Sequence, residues 1–335
     1  MNELFEKLNV KQEVAAALER FKKWKNNDET VVFPVITDLH SALVTEDPLR
    51  GMRRETASHI KIMNFAAKEF GADFTANLGD NGLDVPLKTR DEQLELAKRI
   101  IEYHRESAIR PVIFAVGNHD TVSGNVTAAD WGKAFREMNS DHFMVTGTDD
   151  AYGFCDIPGK KVRIFWLFSD ETPSFYSEEQ LLFVKEHLEN MPQEMTAVIL
   201  QHVCIRKVGA WRSNPDKWKS PQFVKMHTVL AEFRQNGGDL AAVFAGDSHF
   251  NGYELSDNIN YFVFQGYGGI GGLDTQRPDH ALRADEFNSV CGFNDTFDSS
   301  KTFMIDMIAL KPEKRELAVF RIGAGGSCFD QSAVW

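Results

Sequence analysis

Cysteine is scarce in this chain, four residues in 335. Cys155, Cys204, Cys291 and Cys328 are widely spaced and form no CxxC pair, so neither a zinc ribbon nor a disulfide framework is indicated, and a reducing compartment is the expectation. Long apolar runs are missing too. No stretch reaches 18 consecutive apolar residues, and the amino terminus, MNELFEKLNVKQEV, has acidic residues and no apolar core of signal-peptide length. These absences predict a soluble, cytoplasmic protein. Basic residues are outnumbered, 37 Lys and Arg against 49 Asp and Glu. The net charge of -12 repels polyanions, so long nucleic acids and anionic membranes are not expected partners, and an anionic substrate needs local positive groups or metal ions. No linker rich in Pro, Gly or Ser and no repeat of solenoid length divides the chain.

What is present is a 43% hydrophobic content, including 26 Phe, which is ample for a large core. The chain is organised around VIFAVGNHD, residues 112 to 120. Val112 to Val116 read as a strand buried on both faces, and Gly117, Asn118, His119 and Asp120 follow at its carboxyl end, the edge at which open α/β sheets bind ligands. Other apolar runs end alike. Val31 to Thr37 delivers Asp38-Leu39-His40, and Asp73 to Leu78 delivers Gly79-Asp80. Ala197 to Gln201 delivers His202, and Leu240 to Ala245 delivers Gly246-Asp247-Ser248-His249. Five strand ends therefore carry Asp, His and Asn.

In chain order, helical spacing predicts an amphipathic helix over 3–26, packed on the outside of a domain that spans 29–335; the helical unit is taken as residues 1–28. From Val31 to Val116 the pattern alternates strand and helix, with helices near 52–69 and 88–107, which calls for parallel strands and right-handed crossovers. A helix capped by Thr127 is predicted over 127–138, then strands at 152–157 and 162–169, and a helix opened by a capping box at Ser177 to Gln180. Strand 196–201, helix 221–235 and strand 240–245 repeat the alternation. In the last third, residues 251–255, 259–265, 302–310 and 315–322 read as strands joined by turns, suggesting antiparallel pairing. Because His249 must join the early residues, both halves should build one body. The expected fold class is α/β, two packed mixed sheets flanked by helices.

A pair of divalent metals can clamp an in-line displacement at phosphorus, with the ions about 3.5 to 4 Å apart. Such a site needs a bridging carboxylate, and Asp80 has two oxygens to share. Asp38, His40 and His249 are placed to hold one ion; Asn118 and His202 are placed to hold the other. Protonating a leaving alkoxide takes a group that titrates near neutrality, as imidazole does, which makes His119 the candidate general acid. Asp120 is the candidate to orient it or to hold its proton. A metal-bound hydroxide would serve as nucleophile, so no Ser or Cys is needed.

As a set, Asp38-x-His40, Gly79-Asp80, Gly117-Asn118-His119-Asp120, His202 and Gly246-x-x-His249 resembles the calcineurin-like metallophosphoesterase superfamily, whose blocks are DxH, GDxxD, GNH(D/E), H and GHxH. The resemblance spans residues 31 to about 255. It implies a four-layer αββα sandwich, a dinuclear centre of Mn, Fe or Zn type, and hydrolysis of phosphomonoesters or phosphodiesters. There are two departures. Asp84 comes four residues after Asp80 instead of three. Asp247 stands where the family has a His on the second metal. An oxygen ligand favours harder ions, which points to a dinuclear site with Asp247 in the shell and Mn or Fe in preference to Zn; the competing reading is a weakened second site, mononuclear at low metal concentration.

The segment Ile205 to Ser220 is unusually basic for this chain. Arg206, Lys207, Arg212, Lys217 and Lys219 accompany Trp211 and Trp218, so it reads either as a solvated loop with its tryptophans tucked in or as a clamp on a phosphate and an aromatic group. In the second reading Arg206, Lys207, Trp211 and Arg212 bind substrate. Gly266 to Gly271 matches GxGxxG, but the residues after it are poor helix openers, and a loop beside the metals is expected in place of a dinucleotide site. The remaining histidines, and the glycosylation patterns at Asn125 and Asn294, are assigned no role. The resulting expectation is a metal-dependent hydrolase of a small phosphorylated substrate. The alternative is a weakened relative that binds a phosphorylated ligand, and a metallohydrolase of another ester is a third reading. The sequence carries no signal for an oligomeric state.

Overall fold

The computed structural model describes residues 2–40, 56–81, 90–107, 109–121, 126–168, 176–209, 216–249, 251–264, 266 and 303–335. Two helices open the chain, α1 (Asn2–Lys7) and α2 (Val10–Lys25), where the spacing predicts one. Asn9 separates them with a φ of 53°, a left-handed conformation that Asn adopts more readily than most residues. Along α2, Val10, Val14, Ala17 and Phe21 form the buried stripe.

The predicted alternation follows as β1 (Val31–Ile36), α3 (Thr56–Phe70), β2 (Thr75–Asn77), α4 (Arg90–Arg105) and β3 (Val112–Phe114). β1, β2 and β3 pair in parallel, as helical crossovers require. In α5 (Ala128–Met138) the Thr127 side chain accepts the Asp130 N–H, and the Asp130 carboxylate accepts the Thr127 N–H. Next come β4 (Val145–Thr146), β5 (Gly153–Asp156), β6 (Val162–Trp166) and α6 (Glu178–Glu189). Ser177 caps α6 by accepting the Gln180 N–H. The expected reciprocal bond goes elsewhere, because the Gln180 amide donates to Phe168 O and accepts the Phe168 N–H.

The chain continues through β7 (Thr196–Leu200), α7 (Pro221–Gln235), β8 (Leu240–Ala245), β9 (Gly252–Ser256) and β10 (Ile259–Val263). It closes with β11 (Met304–Lys311), β12 (Glu316–Gly323) and β13 (Gln331–Val334). One sheet has the order β13-β12-β11-β1-β2-β3 and the other β4-β5-β6-β7-β8-β10-β9. The antiparallel expectation for the last third holds for β9 with β10, and for β11 with both β12 and β1. On its other side β10 pairs in parallel with β8, a strand of the preceding alternation.

The layers are helix, sheet, sheet and helix. Phe21, Met63 and Phe70 of α2 and α3 pack with Val32 and Ile36 on the outer face of the first sheet. Val184, Phe223 and Leu230 of α6 and α7 cover the second with Ile199 and Val243. Between the sheets, Phe33 stacks on Phe74 at 4.3 Å between centroids and meets Phe244 of the opposite sheet edge-on at 6.0 Å. Burying side chains of this size contributes about 1.5 to 3 kcal/mol each. The packing also brings the carboxyl ends of β1, β2, β3, β7 and β8 to one rim. Among the described residues no helix is long and apolar enough to cross a membrane.

Candidate metal centre

Three of the five strand ends, those of β1, β2 and β8, leave their sheets through left-handed residues. Asp38, His40, Asp80, Asp247 and His249 have φ of 53°, 42°, 53°, 65° and 53°. Non-glycine residues held there are strained by about 1 to 2 kcal/mol, and such strain concentrates at functional sites. Glycine makes room around them. Gly79 has a φ of 96°, and a Cβ on it would lie 2.5 Å from Ala115 O; one on Gly117 would collide with Asp80 Oδ1. The loops are tied together, since Asp38 N donates to Gly79 O and His40 N to Asp80 O, both at 2.9 Å.

Donor atoms of Asp38, His40, Asp80 and His249 all lie within 4.8 Å of one another. The Asp38 Oδ2 oxygen accepts from Thr37 Oγ1 at 2.6 Å and from Asp247 N at 3.2 Å, which turns Oδ1 towards His249 Nε2 at 3.1 Å. His40 Nε2 is 3.1 Å from His249 Nε2. Two imidazole nitrogens, each presenting Nε2 to the other beside two buried carboxylates, form the O/N donor set of a divalent cation.

A second group shares Asp80. His202 Nδ1 donates to Leu78 O at 2.7 Å, which turns Nε2 into the site as the nitrogen that could ligate, 3.0 Å from Asp80 Oδ2 and 3.9 Å from Asp247 Oδ1. Asp80 Oδ2 is also 3.8 Å from His40 Nε2, so one oxygen stands within reach of both donor groups. Asn118 is buried in the turn after β3, on the 3-10 segment Asn118–Asp120. These distances suit ligands of a common cation, so the residues present fit a pair of ions.

Charge is the dominant force in the site. Burial pushes the Asp38 and Asp80 carboxyls up, but the His249 imidazole beside the first and the His202 imidazole beside the second outweigh it and hold both below the usual range. Burial likewise opposes a proton on His202, yet Asp80, with Asp38 and Asp247 behind it, lifts it to about 10; His249 is raised the same way by Asp38. The carboxylates thus draw cations, in the form of protons, onto the imidazoles. A metal ion would displace those protons.

A family model described as calcineurin-like phosphoesterase matches residues 32–251. The chain belongs to the calcineurin-like phosphoesterase family. No curated protein matches this sequence. Among solved structures, a dimetal phosphatase from Danio rerio shares its fold with a TM-score of 0.58 at 13% identity, over 91% of this chain and 99% of that one. GAP50, the anchor in the inner membrane complex of Plasmodium, does so with a TM-score of 0.52 at 10% identity, over 91% and 89%. Identities this low establish the fold alone.

The remaining site residues fall into place unequally. His119 N donates to Asp80 Oδ1 at 2.9 Å, and its Nε2 stands 4.0 Å from Asp80 Oδ2 on a side chain that is 32% exposed. Asp120 is engaged with the backbone: Oδ2 accepts from Gly117 N and Asp80 N, both at 2.9 Å, and Oδ1 from Asn81 N at 2.8 Å. Arg206 pairs with Glu254 at 3.2 Å and lies over the Trp218 ring, while Lys207 is exposed. Trp211, Arg212 and Asp84 lie outside the described residues, as does the GxGxxG match beyond Gly266. A Cβ on Gly266 would meet Asp38, so the head of that segment does border the centre.

Sequence reasoning left out two groups. Lys217 Nζ lies 3.3 Å from Asp247 Oδ2, and the only sequence signal for it is its place in the basic segment. Asn77 supports the Asp80 turn from beneath, its Oδ1 accepting from Gly79 N at 2.9 Å and its Nδ2 donating to Asn81 Oδ1 at 2.7 Å. An Asn inside a predicted strand gives no such sign.

Proposed function

We propose that this calcineurin-like phosphoesterase is a metal-dependent hydrolase of a small phosphorylated substrate with a dinuclear centre. The observation that carries the reading is Asp80 Oδ2, shared between His202 at 3.0 Å and His40 at 3.8 Å. Asp38, His40, Asp80 and His249 would hold one cation; Asp80, Asn118, His202 and Asp247 would hold the other, with the oxygen-rich set favouring Mn or Fe. When bound, such ions supply a water-derived nucleophile at neutral pH and a clamp on the phosphoryl oxygens. As the bond from phosphorus to the leaving oxygen breaks, His119 gives that oxygen a proton. Asp120 is a positioning residue: by holding the Asp80 and Asn81 N–H groups it aims the shared carboxylate. Arg206, Lys207, Trp211 and Arg212 remain the proposed substrate contacts.

The alternative is a member that binds a phosphorylated ligand without turning it over, and Asp247, already paired with Lys217, is the observation that favours it. Metal-stripped protein titrated with Mn²⁺, Fe²⁺ or Zn²⁺ should regain hydrolysis of p-nitrophenyl phosphate or bis-p-nitrophenyl phosphate. Asn118→Ala should lose it by at least about 100-fold, the scale of losing a group that stabilises the transition state, and the ratio of the two esters reports monoester or diester preference. Tight metal binding with no turnover of either ester would favour the binding role.

A further inference from the structure

The two halves of the centre differ in how their carboxylates are neutralised. Asp38 and Asp80 are paired with imidazoles, His249 at 3.1 Å from the first and His202 at 3.0 Å from the second. Asp247 has a lysine. Lys217 Nζ sits 3.3 Å from Asp247 Oδ2, and the two side chains are only 9% and 6% exposed. Solvent screens a pair this buried much less than a surface ion pair. The other oxygen, Oδ1, faces His202 Nε2 at 3.9 Å. One carboxylate therefore carries a fixed ammonium on one oxygen and offers the other to the second donor group.

We propose that Lys217 competes with the second cation for Asp247, so that the first position fills at low metal concentration and the second only when metal is abundant. The proposal rests on the dinuclear reading above. Its physical basis is Coulombic. A divalent ion reaching Oδ1 meets a carboxylate whose charge is already half claimed, and it is repelled by an ammonium one carboxylate away in a buried volume. The Asp38 carboxylate at the first position has His249 beside it, an imidazole that can itself ligate; the Asp247 carboxylate has an ammonium beside it, which cannot. Lys217 lies on the 3-10 segment Lys217–Lys219, which leads through Ser220 into α7, so its reach to Asp247 is set by the fold and not by a neighbouring residue in the chain.

The test is calorimetric titration of the metal-stripped full chain with Mn²⁺ at one fixed pH, with bound metal counted by elemental analysis after dialysis. Wild type should bind two ions, the second at least about tenfold more weakly than the first. Lys217→Met should tighten the second ion by at least about fivefold and change the first by less than about twofold; Lys217→Gln should do the same, and Lys217→Arg should behave as wild type. In an Asp247→Asn background, which removes the carboxylate for which the two cations compete, Lys217→Met should tighten the second ion by clearly less than in wild type. A second site unchanged or weakened by both Lys217→Met and Lys217→Gln would overturn the proposal. So would a stoichiometry of one in wild type and in both variants. Ester hydrolysis is scored separately: loss of turnover with every metal removes the hydrolase reading and leaves this result standing, whereas turnover with a second site indifferent to Lys217 removes only the competition.

Discussion

Among the described residues, His119 is the most exposed histidine of the centre. Its side chain is 32% exposed, whereas those of His40 and His202 are fully buried and that of His249 is 21% exposed. A group that holds metal gains from burial, and a group that hands a proton to a leaving oxygen must meet it. His119→Ala should therefore lower turnover of alkyl phosphoesters by about 10² to 10⁴-fold, the usual worth of a general acid. Nitrophenyl esters, whose leaving group needs no proton, should suffer much less, and Mn²⁺ stoichiometry should not change. An equal loss on both ester classes would exclude the acid role. The position of His119 beside Asp80 was legible from its place next to Asn118 after a buried strand. The use of Asp120 was not, because a carboxylate one residue along the chain from an imidazole looks like its partner. Only the folded turn shows both oxygens taken by the N–H groups of Gly117, Asp80 and Asn81.

Among the elements, α4 is joined to the Asp80 turn by one buried histidine. Asn77 Oδ1 accepts from Gly79 N, so Nδ2 is the end that donates, and His104 Nε2 in the last turn of α4 must accept from it at 3.1 Å as a neutral ring. Burial, with Arg110 nearby, pushes His104 down to about 3 from 6.5. Below pH 6.5 the unfolded chain takes up a proton that the folded chain refuses. The contribution of His104 is thus present above pH 6.5 and lost as pH falls towards 3, by about 3 kcal/mol at pH 4.5. Urea unfolding of His104→Gln across pH 6.5 to 4.5 should show a flatter decline than wild type; parallel declines would place the acid sensitivity elsewhere. The long elements were readable because a buried strand or an amphipathic helix repeats its period several times. β4 has two half-buried residues and β13 four at an edge, too few turns of any period to register.

For the whole molecule, the cluster is a seam. Asp38 and Asp80 come from one sheet and Asp247 from the other, and their mutual repulsion falls on the interface between them. Cations should therefore stabilise the entire fold. Free Mn²⁺ at a hundredfold over its Kd should add about 2.7 kcal/mol to the unfolding free energy for each site filled, seen as a thermal midpoint that rises with metal and drops on chelation. A midpoint indifferent to both would mean that the seam holds no ion.

Which residues end strands could be read along the chain, because hydrophobic period and turn residues are local properties, and five such ends of one chemical character pointed to the family. Tertiary packing alone decided how those ends meet. It ran β10 parallel to β8, set His202 across the seam from Asp80, turned Arg206 to Glu254 and brought Lys217 to Asp247. The reason is physical: period along a strand says which face is buried, but which atoms meet across two sheets depends on how their inner faces pack, and that is settled by side chains far apart in the chain.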